Sequence, residues 1–143
     1  MKINSKGLEL IKDAEGLRLE SYKCPAGKWT IGYGHTGADV HEGMTITEAE
    51  AEKLLETDLK HFEHGVDVLT GPETSENQFG AMVSLAYNIG LGAFARSSVL
   101  TFHRKKFYDS AAMSFELWNK SNGKVLPGLK KRREAERDLY ETP

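Results

Sequence analysis

The chain reads as a mainly helical α+β protein, with a small N-terminal hairpin or sheet lobe and a helical C-terminal lobe joined by a long helix. Three observations predict this. Trp29, Ile31 and Tyr33 alternate with Thr30, Gly32 and Gly34, the period-2 pattern of a strand with one buried face. From Thr47 to Leu69, apolar residues Leu54, Leu55, Leu59, Phe62, Val66 and Leu69 recur at helical spacing. Such a helix is about 30–35 Å long at 1.5 Å per residue, the span of a small domain. Beyond Gly71-Pro72, further apolar stripes at spacings of three and four alternate with Gly, Ser and Pro breaks. The expected organisation is a single domain over residues 1–143: helix and sheet lobe about 1–46, connecting helix about 47–69, helical lobe about 71–143. A chain of this size can bury roughly 68–70% of its unfolded surface.

Each element has a local cause. Residues 4–14 predict an opening helix with Ser5 as N-cap and Leu8, Leu10 and Ile11 as its apolar stripe. Gly16 is placed to end it in a left-handed conformation, leaving Glu15 at the helix C-terminus. Helix carbonyls there disfavour a further negative charge, which suits a carboxyl that must arrive protonated. Pro25-Ala26-Gly27 is a turn leading into the strand, and residues 37–45 form a loop. Thr47 with Glu50 makes a capping box for the long helix, which Gly65 is placed to bend or end. Ser75 with Gln78 makes another, opening a largely buried helix through Ile89 that Gly90-Leu91-Gly92 ends. Ser97 or Ser98 caps a short helix through Lys106, a further helix spans about 109–118, and Asn122-Gly123 turns the chain. Pro127 opens the last helix, where its missing N–H costs nothing. There Leu129, Arg132, Arg133, Glu136, Leu139 and Tyr140 share one face, which predicts a half-buried polar network between apolar anchors.

Composition excludes several classes. No run approaches the ~18 apolar residues of a membrane span, and no apolar core follows the first lysines as in a secretory signal. The expectation is a protein made soluble in the cytoplasm, without membrane insertion. One cysteine, Cys24, excludes an intrachain disulfide and a cysteine-rich metal site. His61 and His64 lie three apart on the long helix without further ligands and read as a solvated pair, so neither metal nor cofactor is expected. Net charge is −2, yet residues 71–143 carry eleven Lys/Arg against eight Asp/Glu. Lys120, Lys124, Lys130, Lys131, Arg132 and Arg133 follow one another with no acid between them. This run is either a solvated face or a patch for a polyanion. Nothing else points to nucleic acid, since no zinc-finger, P-loop or RNP pattern is present.

Glu15, Cys24, Thr30 and His35 crowd a carboxylate, a thiol, a hydroxyl and an imidazole into one short stretch. Glu15, eight residues, Cys24, five residues, Thr30, then Ile31-Gly32-Tyr33-Gly34-His35-Thr36 resembles the catalytic motif of the phage-type lysozymes, or endolysins, in the sub-branch with Cys in place of the second catalytic Asp. Tyr87-Asn88-Ile89-Gly90 with Phe94, and Gly128-Leu129 with Arg132, Arg133 and Glu136, resemble later motifs of that family. The resemblance implies a lysozyme-like fold with a peptidoglycan cleft between its lobes. It also implies hydrolysis of the β-1,4 bond between N-acetylmuramic acid and N-acetylglucosamine. Glu15 is then the general acid, Cys24 stands in the second catalytic position, and Thr30 holds a water or the sugar's N-acetyl group. A thiolate at Cys24 would need a lowered pKa, for which Arg18 and Lys23 are candidate sources. Thr36, Tyr87, Asn88 and Ser97 become substrate-binding residues. His35 with Asp58, and Arg132 and Arg133 with Glu136, become a structural polar network. The implied protein is a monomer, freed by a separate holin-like membrane-permeabilising protein to act on the bacterial wall.

Three other readings stay open on the residues alone. A lytic transglycosylase needs only Glu15 and leaves an anhydro sugar. A cysteine hydrolase on Cys24 and His35 lacks an evident orienting group and oxyanion site. A non-catalytic wall-binding module needs no chemistry at all.

Overall fold

The computed structural model describes residues 1–143. Its helices are α1 Ser5–Glu15, α2 Glu48–Thr70, α3 Glu76–Ile89, α4 Leu91–Ala95, α5 Ser98–Arg104, α6 Tyr108–Ser114 and α7 Pro127–Glu141, with a 3₁₀ turn at Phe115–Trp118. Strands β1 Arg18–Lys23, β2 Trp29–Gly32 and β3 His35–Thr36 form an antiparallel sheet in that order, and β4 Lys120–Ser121 pairs with β5 Lys124–Val125 as a separate hairpin. Two compact units result, one of residues Lys12–His61 and one of Met1–Ile11 with Phe62–Pro143.

In the Lys12–His61 unit, Gly16 takes φ 73° and its N–H bonds the Lys12 carbonyl at 2.9 Å, so α1 stops directly after Glu15. The Cys24–Gly27 turn is closed by Gly27 N–H on the Cys24 carbonyl at 2.8 Å, and β1 then pairs with β2 through Tyr22 opposite Thr30 and Lys23 opposite Trp29. The strand differs from its one-sided expectation. Ile31 and Tyr33 are buried, but so are Thr30 and Gly32. The cause is position: β2 is the central strand, and Gly32 lies against α2, where an added Cβ would stand 3.5 Å from Ala51. The capping box of α2 is formed in both directions, Thr47 N–H to Glu50 Oε1 and Glu50 N–H to Thr47 Oγ1, each 3.1 Å.

In the other unit, the cap of α1 is Asn4 and not Ser5. Asn4 Oδ1 accepts from Gly7 N–H at 3.0 Å, while Asn4 Nδ2 donates to Asn77 Oδ1 at 2.9 Å on α3. That second bond ties the cap to α3, which Ser5 does not match. The core is carried by α3, where Phe79 to Ala86 are all buried, packed on α7. The Ser75–Gln78 capping box is present. Gly65 neither bends nor ends α2, because the glycine admits Leu91, whose Cδ1 would lie 2.6 Å from an added Cβ. Sequence reading passed over α4, which starts at Gly90 with φ 92°, a conformation that favours glycine. It also saw only a turn at Asn122-Gly123. Both residues have positive φ, 51° and 78°, the geometry of a tight hairpin that brings β4 onto β5.

Candidate active site

Glu15 is half-buried on the last residue of α1, and the left-handed glycine after it turns the chain directly into β1. Cys24 ends the same excursion, one residue beyond β1 and four before Lys28. Its N–H donates to the Lys28 carbonyl at 2.9 Å, so the turn folds the backbone of residues 26–28 around the thiol. The thiol is held below its ordinary pKa chiefly by the Lys28 N–H. The Ala26 N–H, the Thr30 hydroxyl and the Lys28 ammonium add to this, against a smaller opposing effect of desolvation. The candidate cations nearest in sequence are used elsewhere: the Arg18 guanidinium lies 4.4 Å from the Tyr22 ring centre, and Lys23 Nζ lies 5.4 Å from that of Trp29. Lys28 was therefore missed, although a turn at Pro25-Ala26-Gly27 already places residue 28 back beside residue 24.

Thr30 is buried on β2 and its hydroxyl donates to the Lys28 carbonyl at 3.1 Å. A hydroxyl has one proton. With the Cys24 thiolate as a second acceptor, Thr30 can turn that proton from the carbonyl to the sulfur as the charge develops. Cys24, Lys28 and Thr30 thus form one hydrogen-bonded group.

His35, on β3, joins the sheet to α2. Its Nδ1 lies 2.7 Å from Asp58 and its Nε2 lies 3.0 Å from Asp39, a partner that the sequence reading left in the loop. Burial opposes charge on the ring, but hydrogen bonds from the two carboxylates outweigh it, and the proton affinity of His35 is raised. His35 is thereby occupied structurally, and Cys24 draws its polarisation from Lys28, not from an imidazole. Thr36 is exposed beside a shallow recess of about 430 Å³ that Lys28, Trp29, Gly37 and Val40 also line.

The remaining sequence-predicted residues lie in the other unit. Tyr87 meets Phe62 edge-on, with ring centres 5.3 Å apart. Asn88 is exposed at the end of α3 and its Oδ1 accepts from Arg133 Nη2 at 2.8 Å. Arginine has only donors, so the oxygen must face Arg133 and the amide NH₂ is the free-turning donor end. Ser97 is buried; its hydroxyl donates to the Phe94 carbonyl at 2.7 Å and accepts from Leu100 N–H at 3.3 Å, capping α5. Arg133 and Glu136 are fully buried and paired at 2.9 Å, Arg132 Nε lies 3.4 Å from the same carboxylate, and Ser84 donates to it at 2.6 Å. Burial pushes the Glu136 carboxyl up, and the two guanidiniums oppose that. No group of three or more His, Cys, Asp or Glu is arranged to hold a metal ion.

A mixed sheet-and-helix unit with its carboxylate at a helix end, joined in sequence to a helical unit, is the architecture of lysozyme-like proteins. The muramidase domain of SpmX from Asticaccaulis excentricus shares it, with a TM-score of 0.92 and 40% identity, 99% of each chain being covered. A sequence model described as phage lysozyme matches residues 12–136, and the chain belongs to that family. The endolysin of Salmonella phage P22 is 42% identical over 98% of both chains. The endolysin of Bacillus phage B103 is 49% identical over 99% of this chain, which spans 55% of that relative's length. No helix is long and apolar enough to cross a membrane.

Proposed function

We propose that this chain is a muramidase of the endolysin kind, hydrolysing the β-1,4 bond between N-acetylmuramic acid and N-acetylglucosamine of bacterial peptidoglycan. The observation that carries the reading is Glu15 at the end of α1, followed within one strand by a thiol whose backbone turn favours its anion. Glycoside hydrolysis needs a proton for the departing oxygen and a second group on the far face of the sugar. Glu15 is assigned the proton and Cys24 the second group, with Thr30 sharing its hydroxyl proton between the Lys28 carbonyl and the sulfur. As a nucleophile the thiolate forms a glycosyl–sulfur bond that water then breaks, with retention; as a base it takes a proton from water, with inversion.

Asn88 offers its NH₂ to an acceptor on the sugar, such as an N-acetyl carbonyl, and Thr36 and Tyr87 provide further contacts. Ser97 supports the site through α5, because its hydroxyl is already engaged within the chain. The protein acts as a monomer without a cofactor. It reaches the wall from the host cytoplasm once a separate holin-like protein has opened the membrane.

Mass spectrometry of fragments from digested peptidoglycan tests this reading, with reducing N-acetylmuramic acid ends as the expected product. Anhydro ends would make the chain a lytic transglycosylase acting through Glu15 alone, and intact glycan would remove the enzymatic reading.

A further inference from the structure

The basic run of α7 and its approach is not one patch but two structures with different fates. Arg132 and Arg133 are buried on Glu136 and Ser84 and are withdrawn from any partner. Lys120, Lys124, Lys130 and Lys131 are all exposed. The first two stand on the β4–β5 hairpin, and the other two follow within the first turns of α7, whose opening turn carries no acid.

The hairpin also shows aliphatic surface. Val125, directly opposite Lys120 in the ladder, is 50% exposed, Leu126 is 41% exposed and Leu117 is 69% exposed. Directly paired residues of an antiparallel ladder point to the same face, so a cation and an aliphatic side chain share one side of the hairpin. The Leu126 N–H bonds the Asn119 carbonyl at 3.0 Å, which draws the Leu117 and Leu126 segments together at the hairpin base. A hairpin of two-residue strands has little stability of its own, and side chains kept for solubility would not combine lysines with three exposed aliphatics.

We infer that the β4–β5 hairpin and the start of α7 form a wall-docking surface for the peptide stems of peptidoglycan. The inference rests on the muramidase reading above and adds a second contact with the same polymer. Charge complementarity selects an anionic partner, and the exposed aliphatics select among anions. A phosphate polymer offers charge without apolar surface, whereas peptide stems offer carboxylates and alanine methyl groups together. Lysine stems lying along such methyl groups, with their ammonium groups on the carboxylates, satisfy both.

The test uses the full chain carrying Glu15→Gln, so that binding is read without turnover. Its sedimentation with purified sacculi free of teichoic acid is compared with that of the same chain carrying Lys120→Glu and Lys124→Glu. The lysine variant is expected to bind roughly tenfold more weakly, with a much flatter dependence on salt. Sacculi stripped of their peptide stems by an amidase are expected to bind the parent no better than the lysine variant. Equal binding of the parent to stripped and intact sacculi would overturn the inference, as would a lysine variant that loses affinity only for anionic lipid vesicles or teichoic acid. In a Glu15 background, the lysine variant is expected to hydrolyse a neutral chitin oligosaccharide at the parental rate, which separates lost docking from lost folding. Because the binding arms need no catalysis, failure of the muramidase reading and failure of the docking surface give different results.

Discussion

Cys24 stands where the family motif allows aspartate or cysteine, and its turn stabilises the anion through N–H groups and a hydroxyl instead of a neighbouring arginine. On the proposed assignment, Cys24→Asp is expected to remain active, because a carboxylate can serve the same face of the sugar. Cys24→Ala is expected to lose most activity, and alkylation to inactivate the wild type while sparing the Asp variant. The alkylation rate is expected to rise with a midpoint below the ordinary thiol value of about 8.5, and near-wild-type turnover by folded Cys24→Ala would refute the assignment. Glu15→Gln keeps the shape and removes the proton, so lysis of walls is expected to fall to a few per cent or less while the thermal midpoint is unchanged. The identity and spacing of these residues were legible in the sequence. The source of the thiol's polarisation was not, because N–H groups carry no residue-type signature.

At the scale of elements, close packing at glycine and the buried charges of α7 decide which substitutions matter. Gly7 lies against α3: an added Cβ would stand 2.9 Å from Gly80 Cα and 2.8 Å from Ile3 Cγ1. Gly7→Ala is therefore expected to destabilise by about 1–3 kcal/mol, since overpacking against backbone outweighs the helix preference of alanine. Gly128→Ala, near the start of α7 with nothing within 4 Å, is expected to be neutral or stabilising by up to about 1 kcal/mol. Denaturant unfolding of the pair checks both signs. Glu136→Gln leaves two buried guanidiniums without their counter-charge, a change expected to cost about 3–5 kcal/mol.

For the whole molecule, two histidines set opposite slopes of stability with pH. His35 has a raised folded pKa through Asp58 and Asp39. Its contribution is full below the unfolded value of about 6.5 and is lost as pH rises through the folded value. His103 is buried between the Tyr140 hydroxyl at 2.7 Å and the Thr74 hydroxyl at 3.0 Å, and burial lowers its pKa. Charges beside it come from Arg104 and the Lys106–Glu73 pair, which share its recess. A neutral ring satisfies both hydroxyls, so stability is full above about 6.5 and falls as pH drops below it. Thermal midpoints across pH 5–8 are expected to lose their alkaline-side decline in Asp58→Asn and their acid-side decline in His103→Gln. Profiles left unchanged by either substitution would exclude that histidine.

What the sequence determined by itself was local. Capping boxes at Thr47 and Ser75, the stop at Gly16, the turn at Pro25-Ala26-Gly27 and the proline start of α7 all rest on atoms within four or five residues, so their causes are written in order along the chain. The motif from Glu15 to Thr36 was legible for the same reason. Tertiary structure decided whatever depended on a partner distant in sequence. Asn4 became the cap because it also binds Asn77, and Thr30 and Gly32 were buried because β2 is central and lies under α2. Arg132 and Arg133 left the basic run because Glu136 shares their helix face and Ser84 meets it from α3. Buried charge must be compensated where it lies, and where it lies is a property of packing.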